Sequence, residues 1–239
     1  MNETVLIARN ERLTREQLAL VPTPEGTATH KRVPHAQVVT ALVETLGFRH
    51  ISVVGEEYAV SRDGMKMFGV MELDQGMHGA RFALGVRNSH DKSFRLAVTV
   101  GYKVFVCENL AFSGDFSPVL AKHSKNFSLQ NALSVGVDNM QRNFQPMVEA
   151  VDRWRGSQLS DVSAKLIIYQ AFVEGNLEVP RHLARSVHDL YFNPKHEEFA
   201  SRNMWSLSNA FTSAFKELEP IPQYRATGKL AGFLQAAAG

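Results

Sequence analysis

The chain has 239 residues, 44% of them hydrophobic and 21% charged, with 26 Lys+Arg against 24 Asp+Glu and a formal net charge of +2. Those values exclude wholesale disorder, a collagen-like chain and a globally polybasic nucleic-acid binder, while leaving room for a local basic patch. The single cysteine, Cys107, forbids an intramolecular disulfide and a Cys-rich zinc site, and no uncharged run approaches a membrane span, so the chain reads as cytoplasmic with no membrane partner.

The elements follow in chain order. Pro34 to Leu46 places Val38, Val39, Leu42, Val43 and Leu46 at helical spacing, with Pro34 suited to the first turn and Gly47 to the stop. From Phe48 the pattern turns β-rich, and Arg62-Asp63-Gly64 reads as a hairpin turn in which Gly64 takes positive φ. Arg81 to Asn88 and Phe94 to Gly101 alternate with a period of two on either side of Ser89 to Ser93, and Tyr102 to Cys107 continues or pairs with the second of these runs. Such short connections predict an antiparallel sheet of four to five strands rather than crossover units. Beyond Pro118 the chain reads as helical. Leu133, Val137, Met140, Phe144, Met147, Val148 and Val151 form an apolar stripe, with Pro146 kinking or dividing the helix that carries it. Ser160 and Asp161 cap a helix running to about Val173, Pro180 opens another, and Leu207, Phe211, Phe215 and Leu218 mark a third. The stretch EPIPQYRATG is expected to break regularity, leaving GKLAGFLQAAAG as a frayed last turn. The fold class is therefore α+β: a short helix, an antiparallel sheet, a long helix and a helical C-terminal region. The domains are expected as an N-terminal extension at 1–33, a sheet domain at 34–155 and a helical region at 156–239 packed on it.

Charge is even along the chain except in one segment. From Arg81 to Lys103 the cations are Arg81, Arg87, Lys92, Arg95 and Lys103, against the single acid Asp91. Alternation puts Phe82, Leu84 and Val86 on one strand face and Arg81, Ala83, Gly85 and Arg87 on the other; the next strand repeats this with Arg95, Ala97, Thr99, Gly101 and Lys103. A face of cations and very small residues is one that a phosphate backbone approaches closely. The same pattern also suits a helix packing tightly on the small residues, with the cations snorkelling at the rim. Lys122, His123 and Lys125, together with Arg142, Arg153 and Arg155, could extend a groove, and an exposed member of Phe94, Tyr102, Phe105, Phe112 and Phe116 could stack on bases.

Catalytic signatures are sparse. The chain lacks a GxxxxGK[ST] phosphate loop, a GxGxxG fingerprint and a GxSxG elbow, and His196-Glu197 is not followed by His at position 200, so the zincin pair is missing. Asn88, Ser89, His90 and Asp91 read foremost as turn residues that bond their own backbone, then as loop contacts for a ligand. Adjacency of Ser, His and Asp does not make a triad. Cys107 reads as a small buried apolar side chain, with Glu108 and Asn109 able to cap the following turn. No catalytic residue, metal or cofactor is assigned.

The segments GVRNSHDKSFRLAVTVGYKVFVCENLAF, EEYAVSRDGMKMFGVMEL and WSLSNAFTSAFKE together resemble the phage/plasmid-like proteins grouped as domain of unknown function nine-three-two, with matching blocks from about Pro34 to Lys216. That resemblance implies a setting in mobile DNA and supplies no reaction. A helix, an antiparallel meander and a long helix are also similar in outline to the single-strand annealing fold of Rad52-like proteins, which bind single-stranded DNA in a basic groove and form rings without ATP. The leading expectation is a non-enzymatic accessory protein binding single-stranded DNA through Arg81, Arg87, Lys92, Arg95 and Lys103, with Asn88, Ser89, His90 and Asp91 touching backbone or partner, as a possible homo-oligomer. The rivals are a protein-interaction or host-defence-modulating factor, and a metal-dependent nuclease using His90 and Asp91.

Overall fold

The computed structural model describes residues 12–28, 30–107, 109–112, 119–122 and 124–238. Glu108, Phe116 and His123, named above as candidates, lie outside the described residues.

A capped turn of helix, α1 (Arg15–Ala19), follows the two-residue strand β1 (Arg12–Leu13), and Thr14 and Gln17 close a reciprocal capping box at its start. The predicted amphipathic helix is α2 (His35–Gly47), with Pro34 at the N-cap and Val38, Val39, Leu42 and Leu46 fully buried. Four long antiparallel strands then make the body of the sheet: β2 (Val53–Val60), β3 (Lys66–Met77), β4 (Ala80–Ser89) and β5 (Leu96–Val104). Arg62-Asp63-Gly64 is the turn between β2 and β3; Gly64 sits at φ 71°, and the Asp63 carboxylate accepts from the Ser61 hydroxyl at 2.5 Å and the Met65 amide at 3.0 Å. Two short strands, β6 (Leu110–Phe112) and β7 (Val119–Ala121), pair end to end along the outer edge of β5, at Gly101 to Lys103 and at Leu96 to Val98 respectively.

The long helix is α3 (Leu129–Gly156), started by the Ser128 hydroxyl, and it runs through Pro146 without dividing. The remaining helices are α4 (Asp161–Phe172), α5 (Leu183–Phe192), α6 (Met204–Ala214) and α7 (Pro220–Ala238). In α7 the expected break does not occur. Pro220 and Pro222 stand in the first turn, where a missing N–H is harmless, and burial of Ala226, Leu230 and Leu234 holds the interior helical despite Gly228 and Gly232.

Two cores result. One face of the sheet, carrying Phe82, Leu84, Val86, Leu96, Val98 and Val100, packs on α2 and α3, with the Phe82 and Phe144 rings stacked 4.1 Å apart. Arg49, just after α2, fastens the two helices by donating to the Asp138 carboxylate at 2.6 Å and the Ser134 hydroxyl at 2.8 Å on α3. The second core lies among α4, α5, α6 and α7, and Trp154 near the end of α3 packs against both cores. Among the described residues no helix is long and apolar enough to cross a membrane.

Candidate nucleic-acid interface

The opposite sheet face carries the residues singled out by charge. Register places Arg81 beside Lys103, Ala83 beside Gly101, Gly85 beside Thr99 and Arg87 beside Ala97. Six residues of extended chain separate Arg81 from Arg87, about 20 Å, so these cations occupy two ends of the face.

At the first end two cations share one carboxylate. Glu72 of β3 receives the Lys103 ammonium at 2.7 Å and stands 3.6 Å from the Arg81 guanidinium. Lys103 is buried, whereas Arg81 is partly exposed and lies 5.3 Å from the ring of Phe105, which is 54% exposed. The count of five cations to one acid covers residues 81 to 103 only and so omits the carboxylate that strand pairing brings across.

The middle of the face is covered. Ideal Cβ atoms on Gly85 and Gly101 would lie 2.8 Å from the Phe112 ring, so the small residues there make room for an aromatic side chain from β6. Tyr224 of α7 packs beside Phe112, hydrogen-bonds the Thr99 hydroxyl and stands 5.5 Å from the Arg87 guanidinium. The side chain that closes on the small residues comes from the strand β6 rather than from the expected helix, and α7 adds Tyr224 beside it. Of the aromatics considered for base stacking, Tyr102 and Phe112 are buried and Phe94 is partly so.

At the second end the cations are accessible. Arg87 is partly buried, its guanidinium within 5.5 Å of both the Phe94 and Tyr224 rings. Lys92, at φ 63° in the β4–β5 connection, and Arg95 are exposed. Because Ala121 pairs with Leu96, the exposed Lys122 follows directly alongside Arg95, an adjacency that becomes visible only with β7 in place. Asp91 is the local acid; its carboxylate accepts from the Ser93 amide at 2.9 Å and faces Lys66 at 3.5 Å. Partial burial pushes that carboxyl up, but Ser93 and Lys66 outweigh burial and hold it below the ordinary carboxylate range.

The remaining loop candidates turn inward. Asn88, Ser89 and His90 are fully buried. The Asn88 amide donates to the Val33 carbonyl at 3.0 Å and to Nδ1 of His35 at 2.9 Å; the Ser89 hydroxyl donates to the Phe94 carbonyl at 2.8 Å. His90 Nε2 bonds the Val33 carbonyl at 3.0 Å, and its ring stacks 4.0 Å from that of His35. Arg32 donates to the His90 carbonyl at 3.0 Å. These side chains fasten the segment before α2 to the end of β4. Asp91, by contrast, is exposed, so His90 and Asp91 point into different surroundings.

Farther away, Arg155 donates to the His78 carbonyl at 2.7 Å and lies 4.9 Å over the Trp205 ring, and Arg153 is exposed at the end of α3. Neither extends the accessible end of the sheet.

Residues 27–231 match the family described as Domain of unknown function (DUF932). The chain belongs to that family. No curated protein and no solved structure matches it. In this DUF932 chain the matched region takes in α2, the long sheet strands, the long helix and most of α7. The three segments that carry the resemblance therefore all lie inside it.

Proposed function

We propose that this protein binds single-stranded nucleic acid, DNA foremost, at the β4–β5 end of its sheet, as a cytoplasmic, non-enzymatic accessory of phage- or plasmid-type DNA metabolism, and that it acts as a homo-oligomer in Rad52-like annealing. The observation that carries this reading is the convergence of Arg87, Lys92, Arg95 and Lys122 from three strands and a turn, where Asp91 is engaged by Lys66. Cations held on strand ends position phosphates without reading sequence. Arg87, held between the Phe94 and Tyr224 rings, is oriented in advance, while Lys92, Arg95 and Lys122 supply mobile charge at the rim. Arg81 and Lys103 contribute less because Glu72 already engages both and offsets one of their two charges.

Fluorescence anisotropy with a labelled single-stranded oligonucleotide across a salt series tests the proposal. Affinity is expected to fall steeply with salt, and Lys92→Ala combined with Arg95→Ala should lower the logarithmic salt slope by about 1.4, since each single-strand phosphate contact contributes roughly 0.7. Arg81→Ala should change it little. Absence of salt-sensitive binding, or an unchanged slope in the double variant, overturns the reading.

A further inference from the structure

We propose a second site, separate from the sheet end: a pocket between α3 and α7 for a small apolar carboxylic acid, with its carbon body inside and its carboxylate at the mouth against Arg153. The sheet-end reading uses none of the residues that would hold it.

The space originates in the spacing of the two helices. Met147, Ala150, Val151 and Trp154 recur at intervals of three and four on α3, as do Thr227, Leu230, Ala231 and Gln235 on α7, so each helix turns one side to the same cavity. Ala111 of β6 joins Ala150 and Ala231 in the wall, and short side chains on all three elements leave a volume of about 270 Å3. That is close to the lower bound for small-molecule sites. An apolar cavity of about 150 Å3 holds benzene, so this one admits a fused two-ring body. Trp154 packs against both cores, which places the pocket where they meet.

Interior and mouth differ in chemistry. Phe112, Met147, Val151 and Leu230 are buried and supply the apolar wall. The interior hydroxyls are already engaged: Thr227 donates to the Gln223 carbonyl at 3.0 Å, and the Tyr102 hydroxyl hydrogen-bonds Ser208. The depth of the cavity therefore favours carbon, which leaves water and gains dispersion contact. At the mouth Pro146, Arg153 and Gln235 are exposed, and Arg153 is the one charged residue of the described lining. No described carboxylate pairs with it; Glu149, one turn earlier, accepts from the Gln145 amide at 3.2 Å instead. A guanidinium meets a carboxylate through two parallel hydrogen bonds. One cation at the rim also matches the single charge of a carboxylate better than the nearly double charge of a phosphate monoester.

Calorimetric titration and thermal melting of the full chain, with 2-naphthoate, neutral 2-naphthylmethanol and acetate as probes, test this. Saturable binding and a rising melting temperature are expected with 2-naphthoate. The alcohol should bind severalfold more weakly, and acetate, which lacks the body, should not bind. Ala150→Leu with Ala231→Leu fills the cavity, so naphthoate binding should vanish while the melting temperature of the free variant holds or rises. Arg153→Ala changes an exposed position that folding does not depend on. It should weaken naphthoate about two- to fivefold, the worth of an exposed ion pair, and leave the alcohol and the oligonucleotide unaffected. Failure of naphthoate to bind saturably by about 1 mM, or unchanged affinity in the folded double-leucine variant, overturns the pocket. Equal binding of acid and alcohol, or an Arg153→Ala variant with unchanged naphthoate affinity, overturns the carboxylate assignment.

Discussion

The imidazole of His90 lies between the Val33 carbonyl and the His35 ring, and one protonation state suits both contacts. Nε2 must carry the hydrogen to meet the carbonyl at 3.0 Å, while Nδ1 is buried without a hydrogen-bond partner among the described residues, so a second proton there would find no acceptor among them. Burial, the leading effect, together with nearby Arg32 and His30, holds this imidazole below its ordinary value, against the opposing pull of the Val33 carbonyl and Asp91. The unfolded chain therefore takes up a proton more readily than the folded one as pH falls below about 6.5, the unperturbed value for histidine. Stability linked to His90 is complete above that pH and is lost progressively as pH drops toward the lower folded value. Urea unfolding between about pH 5 and 7.5 should show this loss in the native chain and a flatter profile in His90→Gln, whose amide can still donate to Val33. Parallel profiles would remove His90 as the source.

Strand β5 is buried along its whole length and is flanked by β4 on one side and by β6 and β7 on the other. A Cβ on Gly101 would fall 2.1 Å from the Ala111 carbonyl oxygen, a backbone atom fixed by the ladder, as well as 2.8 Å from Phe112. At Gly85 the obstruction is the Phe112 ring alone. Gly101→Ala should cost about 2–4 kcal/mol and Gly85→Ala about 1–3 kcal/mol in chemical unfolding, because overpacking against backbone relieves less easily than against a side chain. Equal and small effects would mean that β6 moves freely. Alternation in residues 81 to 87 and 94 to 101 made both faces of these strands legible from sequence, and the α2 and α3 stripes were legible in the same way, since each pattern is local. What fills the small-residue face was not legible: Phe112 arrives through a three-residue strand, Glu72 through pairing across β3, and Lys122 through β7. The α7 helix was hidden for the opposite reason, because two prolines and two glycines dominate its local signal while its stability comes from long-range burial of Ala226, Leu230 and Leu234.

At the scale of the whole molecule, α4 presents an apolar surface that no described part of the chain covers. Its inner side buries Ala164, Ile167, Ile168, Ala171 and Phe172 in the helical core, yet Val162, Leu166, Tyr169 and Val173 remain 77%, 53%, 51% and 46% exposed. Their spacing of four, three and four reads the same in both directions, with the larger side chains at the centre. Two such helices related by a two-fold axis would therefore place Leu166 against Tyr169 and Val162 against Val173, the self-complementary arrangement that an isologous contact requires. A contact of this kind would serve the homo-oligomer proposed above, and it would use none of Arg87, Lys92, Arg95 and Lys122, so assembly and nucleic-acid binding need not compete for the same side chains. Light scattering coupled to size exclusion should give a mass above one chain at tens of micromolar, and Leu166→Glu with Tyr169→Glu should reduce it to that of one chain. Because both substitutions leave the buried side of α4 untouched, helical circular dichroism should persist in the variant. Oligonucleotide affinity per site should also persist, while any avidity for long single strands is lost with the second copy. A native chain that remains monomeric over that range, or a double variant of unchanged mass, would sever α4 from assembly.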